Sequence, residues 1–314
     1  MSYKVSIIIP AYNAEKTIRR CLESLIHQKS KYDFEIIIVI RECTDNTVSI
    51  IEEYQKKYSF IKYFVFKDGY IPKSRIEGAK LSNGEYIMFC DVDDTFTIDA
   101  VETMVNEIEN SNVDIVSASY YEVYKNKTVK GLFRTSKLLN QKEVFKGLFK
   151  DTYLRSFCWN KIYKSSLFKN IDYYYPNHNF IREDTLLNLQ IYLHIKSLKI
   201  IKKPIYYYDK RFESTTNNVD KNRFPWLINI FALERYYLER NKPEYLSIFY
   251  KLKNRRKIIA LLEKWIVKKY YTKEEFRKLK IDSNKYLKLI NKNGALQVSN
   301  TPWESIIIEI ENAE

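Results

Sequence analysis

Apolar and polar positions follow two alternating patterns along the first part of the chain. Short runs of Val, Ile and Phe, typical of buried strands, alternate with stretches whose apolar residues recur every three or four positions, typical of helices. This succession predicts an α/β fold, Rossmann-like, with a mainly parallel sheet and helices on both faces. The predicted strands are Val5–Ile9, Phe34–Ile40, Ile61–Phe66, Tyr86–Cys90 and Asp114–Tyr121, and the predicted helices are Glu15–Gln28, Asp45–Lys57, Lys73–Ser82 and Thr97–Asn110.

The pattern changes in the second half of the chain. Tyr120–Arg134 indicates a short antiparallel excursion, and helices are expected at Asn140–Lys150 and Ile181–Ile195 before a strand at Lys199–Tyr208. After about Val219 only helical spacing remains. We therefore expect an α/β domain over residues 1–218 and a mainly helical C-terminal region over residues 219–314.

The positive charge is concentrated in that C-terminal region. The whole chain has a formal net charge of +14, and residues 222–292 contain 19 Lys and Arg against 7 Asp and Glu. Such a segment suits an anionic partner: a membrane surface, a polyanionic acceptor or nucleic acid. It is equally compatible with a solvated face, with packing against the first domain or with a homo-oligomer contact.

Targeting signals and cysteine pairs are not evident in the sequence. The first apolar run is cut off by Pro10 and is too short for a signal-peptide core, and no apolar run approaches the roughly 18 residues of a spanning helix. The cysteines at positions 21, 43, 90 and 158 lack metal-ligand or redox spacing. We expect a cytoplasmic protein with reduced thiols, either free or peripheral on the inner face of the cell membrane.

An acidic cluster directly follows the strand at Tyr86–Cys90. Asp91, Asp93 and Asp94 stand where a parallel strand ends, and open α/β sheets bind their ligands at that edge. Carboxylates at alternate positions suit Mg²⁺ or Mn²⁺, which usually serve phosphates. The alternative is an acidic turn in which Asp94 caps the next helix, for which Thr95 and Thr97 are also candidate caps.

Other motifs narrow the class of enzyme. The first strand is followed by neither a Gly-x-Gly-x-x-Gly fingerprint nor a Walker lysine loop, which disfavours a dinucleotide dehydrogenase and a phosphate-loop NTPase. Tyr12 in the turn after that strand can stack on a nucleobase or pack within the turn. Glu183 and Asp184 in the first turn of a helix complement the helix dipole, or one of them acts as a general base.

An ordered set of segments resembles the family 2 glycosyltransferases, which are inverting, nucleotide-sugar-dependent enzymes of the GT-A fold. The resemblance covers roughly the first two thirds of the chain, and its combination of segments is more specific than any single motif. The segments are Val5–Asn13, Asp45–Thr47, Asn83–Ile87, Asp91–Asp94, Trp159–Tyr163, Arg182–Asp184, Tyr206–Tyr208 and Ser214–Asn217.

The resemblance implies a role for each matching residue. On the donor side it implies a base pocket at the first turn and a nucleotide contact from Arg75. It also implies that Asp91 contacts the ribose or donor and that Asp93, with Asp91 beside it, holds a Mn²⁺ or Mg²⁺ ion. The donor-binding set is Pro10, Ala11, Tyr12, Asn13, Glu15, Arg75, Asp91 and Asp93. Asp184 is expected to be the general base, with Glu183 as second choice. Weaker candidates for acceptor or diphosphate contact are Trp159, Asn160, His178, Lys210 and Arg211.

The loop after the second strand departs from the family pattern. Family members commonly have Asp-Asp-Gly-Ser there, and one of these aspartates reads the base, whereas this chain has Ile40-Arg41-Glu42-Cys43. Glu42 could substitute, or stacking and backbone contacts could hold the base. The departure leaves the predicted UDP preference open to change.

The sequence supports two functions from different classes. The first is an inverting glycosyltransferase that carries a sugar from a nucleotide-sugar to an acceptor hydroxyl in surface polysaccharide, lipooligosaccharide, teichoic acid or glycoprotein glycan synthesis. Its acceptor would be a glycan, lipid-linked or polyanionic molecule. The alternative is a non-catalytic binding protein on the same fold, using its basic C-terminal region to bind an anionic partner. A nucleic-acid binder is disfavoured because no recognised nucleic-acid motif accompanies the charge.

Overall fold

The computed structural model describes residues 3–67, 71–131, 135–150, 154, 156–169, 173, 183–210, 233–252 and 274. Its strands, in chain order, are β1 (Val5–Ala11), β2 (Phe34–Ile40), β3 (Ile61–Val65), β4 (Tyr86–Phe89), β5 (Thr95–Phe96), β6 (Ile115–Tyr124), β7 (Lys127–Lys130), β8 (Lys137–Asn140), β9 (Lys161–Lys164) and β10 (Ser197–Asp209).

Helices alternate with the strands over most of the described chain. They are α1 (Ile18–Ile26), α2 (Thr47–Lys57), α3 (Ile71–Leu81), α4 (Ala100–Ser111), α5 (Gln141–Lys150), α6 (Ser166–Lys169), α7 (Glu183–Tyr192), α8 (233–241), a 3₁₀ turn at Pro243–Tyr245 and α9 (Leu246–Leu252).

One sheet joins all the described strands. Its order is β3-β2-β1-β4-β9-β6-β10-β5, with β7 paired to β6 and β8 paired to β10. β1 is parallel to both β2 and β4, and β6 is parallel to β10, whereas β9 lies antiparallel between β4 and β6. The predicted α/β class with a mainly parallel sheet is therefore confirmed. The carboxyl ends of β1, β2, β4, β6 and β10 share one edge.

Apolar cores cover both faces of this sheet. Alternate residues of each central strand face opposite sides, so that Ile8 belongs to the core under α3, α5 and α7 while Ile7 and Ile9 belong to the core under α1, α2 and α4. Gly78 lets α3 lie close to the sheet, because a Cβ at this position would stand 2.5 Å from Cγ2 of Ile8. This close packing fixes the depth of α3 and therefore of the side chains that it directs toward the sheet edge.

Most predicted elements are confirmed within a few residues, and some details are wrong. Neither Thr95 nor Thr97 caps α4: Asp99 occupies the N-cap position, and Thr95 lies in β5. Asp94 does not cap that helix either. The predicted antiparallel excursion is the β6–β7 hairpin.

The predicted C-terminal helical region lies largely outside the described residues. The basic segment 222–292 is described only at 233–252 and 274, where α8, the 3₁₀ turn and α9 agree with the helical spacing. The proposed boundary near residue 219 also falls outside the described chain.

The described chain adds two observations on its general class. None of the helices in the described part combines the length and the apolar composition needed to cross a membrane. The structure has its four cysteines as free thiols, and the Sγ atoms of Cys21 and Cys90 are 3.6 Å apart in the core.

Candidate active site

The turn after β1 is held against the loop after β2. Asn13 adopts a φ of 46°, a conformation that Asn tolerates better than most residues, and its side chain both donates to and accepts from Thr44. Glu15 accepts a hydrogen bond from the backbone N–H of Asn46 at 3.2 Å. The predicted donor-side residues Pro10, Ala11, Tyr12, Asn13 and Glu15 therefore lie together at the carboxyl edge of the sheet.

Tyr12 and Arg41 contact each other at this edge. Tyr12 is 47% exposed, and the guanidinium carbon of Arg41 lies 3.6 Å from the centre of its ring. Glu42, the suggested substitute for the base-reading carboxylate, is exposed. A flat aromatic ring with a flat cation on it gives this loop a stacking surface in place of a carboxylate.

In the acidic cluster after β4, Asp94 is buried, whereas Asp91 and Asp93 are partly exposed at the edge of the sheet. Asp94 is buried and accepts hydrogen bonds from the Tyr206 hydroxyl at 2.8 Å and from the backbone N–H of Asp209 at 2.7 Å. The Tyr206 hydroxyl also accepts the backbone N–H of Asp91 at 3.0 Å. Arg20 ties the cluster to the end of β10, since it pairs with Asp209 and donates to the Asp93 carbonyl.

Arg75 joins the acidic cluster to the start of α7. It lies on α3, is only 2% exposed, and places Nη2 2.7 Å from Oδ1 of Asp91 and Nη1 2.6 Å from Oδ1 of Asp184. Nη1 is also 3.9 Å from Oε1 of Glu183. Its Nε has no hydrogen-bond partner among the described residues. The guanidinium of Arg75 thus fixes the separation between Asp91 and Asp184.

Asp184 is held at both carboxylate oxygens. Oδ1 accepts from Arg75, and Oδ2 accepts the backbone N–H of Cys158 at 3.2 Å. Asn188, one turn further along α7, donates to the Asp184 carbonyl at 2.9 Å. The first two of these contacts orient the carboxylate in the first turn of α7.

Burial shifts the pKa values of the neighbouring acids upward. It raises the pKa of Asp91 to about 6 and that of Glu183 to about 7, although the charge of Arg75 opposes both shifts. Burial also raises the pKa of Asp93, and raises that of Asp94 well above its ordinary value. Burial in the cleft therefore disfavours the charged form of each of these carboxyl groups.

These acids fit a divalent cation that bridges to phosphate. The described residues contain no group of three or more His, Cys, Asp and Glu side chains placed to hold a metal. Mg²⁺ and Mn²⁺ at nucleotide sites usually take one or two carboxylates, with phosphates and water completing the shell. Asp91 and Asp93 would offer two hard oxygen ligands of this kind, and a bound cation would favour the charged forms that burial disfavours.

The Trp159–Lys161 segment packs against the residues that surround the acidic cluster. Trp159 is 3% exposed and stacks on Tyr206, with ring centres 4.4 Å apart. Asn160 is buried and donates to the Ala118 carbonyl at 2.8 Å, and the buried Lys161 donates to Asn160 at 2.9 Å. This packing places Cys158 beside Asp184. Contact of Trp159 or Asn160 with a substrate stays a prediction.

The remaining predicted residues are only partly described. Lys210 follows β10, where its Nζ lies 4.0 Å from the centre of the Tyr208 ring. His178 and Arg211 lie outside the described residues.

Sequence reasoning assigned no role to three side chains that order the acids. Tyr206 and Asp209 hold the cluster from β10, and Arg20 reaches it from α1. The repeated tyrosines at the end of β10 were part of the family resemblance, but nothing in the sequence showed which of them faced Asp91. Arg20, one of two adjacent arginines in α1, carried no signal of this role.

This arrangement defines a class of protein. A mainly parallel sheet with an aromatic turn after β1, acids after β4 and a second acidic pair opening α7 is the GT-A arrangement of a glycosyltransferase. The chain belongs to glycosyl transferase family 2, whose sequence model matches residues 6–187. This membership confirms the predicted family and type of enzyme.

Several proteins are similar to about two thirds of the chain. It is 30% identical over 212 residues to the poly(ribitol-phosphate) beta-glucosyltransferase of Bacillus spizizenii, covering 65% of this chain and 32% of that protein. It is 28% identical over 214 residues to the glycosyltransferase GlyA of Streptococcus pneumoniae, covering 65% and 30%. The similarity thus spans about a third of the length of these relatives.

Solved structures share the fold. Residues 1–349 of Staphylococcus aureus TarS, crystallised with UDP-GlcNAc, align with a TM-score of 0.69 at 20% identity, covering 99% of this chain and 92% of that one. A mannosyltransferase from Pyrobaculum calidifontis, crystallised with GDP-Man and Mn²⁺, aligns with a TM-score of 0.51 at 13% identity, covering 95% and 86%. At these identities the likeness concerns the fold alone.

Proposed function

We propose that the protein is an inverting glycosyltransferase that moves a sugar from a UDP-sugar to a hydroxyl of a phosphate-linked polyol or related surface-glycan acceptor. The observation that carries this proposal is the placement of Asp91 and Asp184 on the single guanidinium of Arg75. It brings a donor-binding acid and a candidate base into one cleft, as direct displacement at a sugar carbon requires.

The donor would lie along the carboxyl edge from β1 to β4. Tyr12, with Arg41 against its ring, offers a stacking surface for the base, and Asp91 and Asp93 would hold the diphosphate end through a bound cation. When bound, Mn²⁺ or Mg²⁺ at these acids supplies Lewis-acid stabilisation of the charge that develops on the diphosphate. Stacking on Tyr12 would hold the base without a base-reading carboxylate. The replacement of that carboxylate in the loop after β2 would therefore not prevent donor binding.

The reaction would be a single displacement with base assistance. Asp184 accepts the proton of the acceptor hydroxyl while that oxygen attacks C1 of the sugar from the face opposite the nucleotide. The C1–oxygen bond to the diphosphate breaks, and the nucleoside diphosphate leaves with the electron pair. General-base catalysis of this type typically contributes about 10²–10⁴-fold to the rate.

The acceptor proposal draws on the relatives. Their names specify poly(ribitol-phosphate) for the Bacillus protein, whereas a Borreliella burgdorferi relative, 30% identical over 233 residues, is a cholesterol galactosyltransferase. That match covers 69% of this chain and 63% of the relative. We favour the anionic polyol because the chain is strongly basic, with a net charge of +14. Synthesis at the cytoplasmic side of the membrane fits the same partner.

The proposal is tested by transfer to a defined acceptor. The protein is incubated with UDP-GlcNAc, UDP-glucose or UDP-galactose, Mn²⁺ and poly(ribitol phosphate), with GDP-mannose as the comparison donor, and the product is analysed by NMR. The expected product is a β-linked sugar from an α-linked donor. A product of retained configuration would contradict inversion, and nucleotide binding without any turnover would favour the non-catalytic alternative.

A further inference from the structure

An aromatic and basic surface, exposed on the β6–β7 hairpin and half-buried at the end of β10, lies next to the candidate site. We call it the hairpin face and define it by Tyr124, Lys127 and Val129 on the hairpin and by Tyr208 and Lys210 at the end of β10. Strand register places them together, since Tyr124 pairs with Lys127 and Glu122 pairs with both Val129 and Tyr208. Cross-strand partners share one face of a sheet.

One end of the hairpin face packs against the segment that contacts the candidate base. The Tyr208 ring lies 5.2 Å from that of Trp159 and 6.1 Å from that of Phe157, measured between ring centres. The next residue after Phe157 is Cys158, whose backbone N–H donates to Asp184. The hairpin face is therefore joined through Phe157 to the segment that contacts Asp184.

The side chains of this face combine flat rings with cations. Lys210 lies over the Tyr208 ring at 4.0 Å, and Lys127 lies 5.6 Å from the centre of the Tyr124 ring. Residues 121–131 contain three lysines and one acid, and the carboxylate of Glu122 accepts a hydrogen bond from the Tyr124 hydroxyl at 2.7 Å. Rings suit the C–H faces of sugars and polyols, and lysines suit phosphates.

We propose that the hairpin face binds an acceptor polymer of polyol units joined by phosphates and delivers one of its hydroxyls to Asp184. This inference rests on the proposed function. Charge complementarity selects the occupant, because the two lysines of the face, Lys127 and Lys210, outnumber its one carboxylate, Glu122, and match a repeating anion. The exposed apolar groups, Tyr124 at 37% and Val129 at 41%, stand among polar neighbours and do not form the apolar stripe that membrane insertion uses.

The test compares polymer binding with donor chemistry in the same variants. The probe is poly(ribitol phosphate), titrated at low salt into the full chain carrying Lys127→Glu or Tyr124→Ala, with neutral dextran as the comparison polymer. Lys146→Glu on α5 makes the same charge change at an exposed lysine of another surface and serves as the control. Nucleotide release from UDP-sugar without acceptor and thermal unfolding are measured on each sample.

We expect Lys127→Glu to weaken polymer binding about threefold to tenfold, because it reverses a charge at the edge of the binding surface. Tyr124→Ala should weaken it by a similar factor, while Lys146→Glu, nucleotide release and unfolding stay near wild type. Wild-type polymer affinity in both hairpin variants would overturn the proposal. So would hairpin-dependent binding of anionic phospholipid vesicles or single-stranded RNA in preference to the polymer. Polymer binding that depends on the hairpin face, in a protein that binds no nucleotide, would support the binding surface and contradict the proposed transferase activity.

Discussion

Arg75 and Asp184 form a buried ion pair with 2.6 Å between Nη1 and Oδ1, and the same guanidinium holds Asp91 through its other nitrogen. The pair joins α3 to the first turn of α7. Because Asp91 follows β4, the contact also sets the distance from the donor end of the cleft to the candidate base. We therefore expect both stability and catalysis to depend on the guanidinium of Arg75.

Arg75→Lys should lower both turnover and stability. A lysine has no fork that can reach two carboxylates at once, so one acid is left without its partner. We expect turnover to fall about a hundredfold through misplacement of Asp184, and the free energy of unfolding to fall by about 1–3 kcal/mol. Steady-state kinetics and urea unfolding measure the two effects. Arg19→Lys, at an exposed pair with Glu53, is the control; equal effects in both variants would contradict the central role of Arg75.

Asp184→Asn should remove transfer and leave donor binding in place. The amide keeps the shape of the carboxylate but does not accept the acceptor proton, so we expect turnover to fall by about 10²–10⁴-fold. Nucleotide affinity, measured by calorimetry, should change little. Glu183→Gln is the comparison, and a larger loss in that variant than in Asp184→Asn would reassign the base to Glu183.

Glu183 should make the protein less stable as the pH rises through neutrality. Its pKa of about 7 in the folded protein lies above the ordinary value of 4.5, so the folded state binds this proton more tightly than the unfolded state. The free energy of unfolding contributed by Glu183 consequently falls between these two pKa values. Glu183→Gln should be more stable than wild type at about pH 8 and gain nothing at about pH 4.

The measurement for this prediction is urea unfolding at both pH values. Glu244→Gln changes an exposed carboxylate in the same way and should show no such pH-dependent gain. A stability difference between Glu183→Gln and wild type that is independent of pH would contradict the raised pKa of Glu183.

Gly78→Ala should destabilise the protein through helix–sheet packing. The added Cβ would lie 2.5 Å from Cγ2 of Ile8 and 2.9 Å from Cγ2 of Val39, both of which are in the core. Overpacking of this kind typically costs about 1–3 kcal/mol. Thermal unfolding tests it, with Lys80→Ala on the exposed side of α3 as the control. An unchanged melting temperature would show that α3 can move away from the sheet at no cost.

Much of the fold followed from local patterns. Buried parallel strands such as β1 and β2 are continuous apolar runs, and the amphipathic spacing of α1 and α2 is regular, so their types and approximate bounds were predictable. The antiparallel insertion of β9 between β4 and β6 was not, because strand order depends on contacts between distant residues. The cap of α4 was misjudged because three candidate side chains precede Asp99.

The position of Asp91 and Asp93 at the edge of the sheet was predictable, because both residues directly follow an apolar strand. The role of Arg75 as a link between acids was not, because the helical pattern gave no sign that its guanidinium is buried. The contacts of Tyr206 and Asp209 depend on β10, which lies more than a hundred residues away along the chain. Long-range packing therefore supplied the part of the site that sequence reasoning missed.

The most direct measurement of the central claim is nucleotide release from a panel of nucleotide-sugars, with Mn²⁺ present and then chelated, in wild type and in Asp93→Asn. Nucleotide binding is measured on the same samples, which distinguishes a protein that binds the donor without turnover from one that does not bind it. The account predicts release from one UDP-sugar that stops on chelation and is lost in Asp93→Asn. Absence of both nucleotide binding and release in the wild-type protein would contradict it.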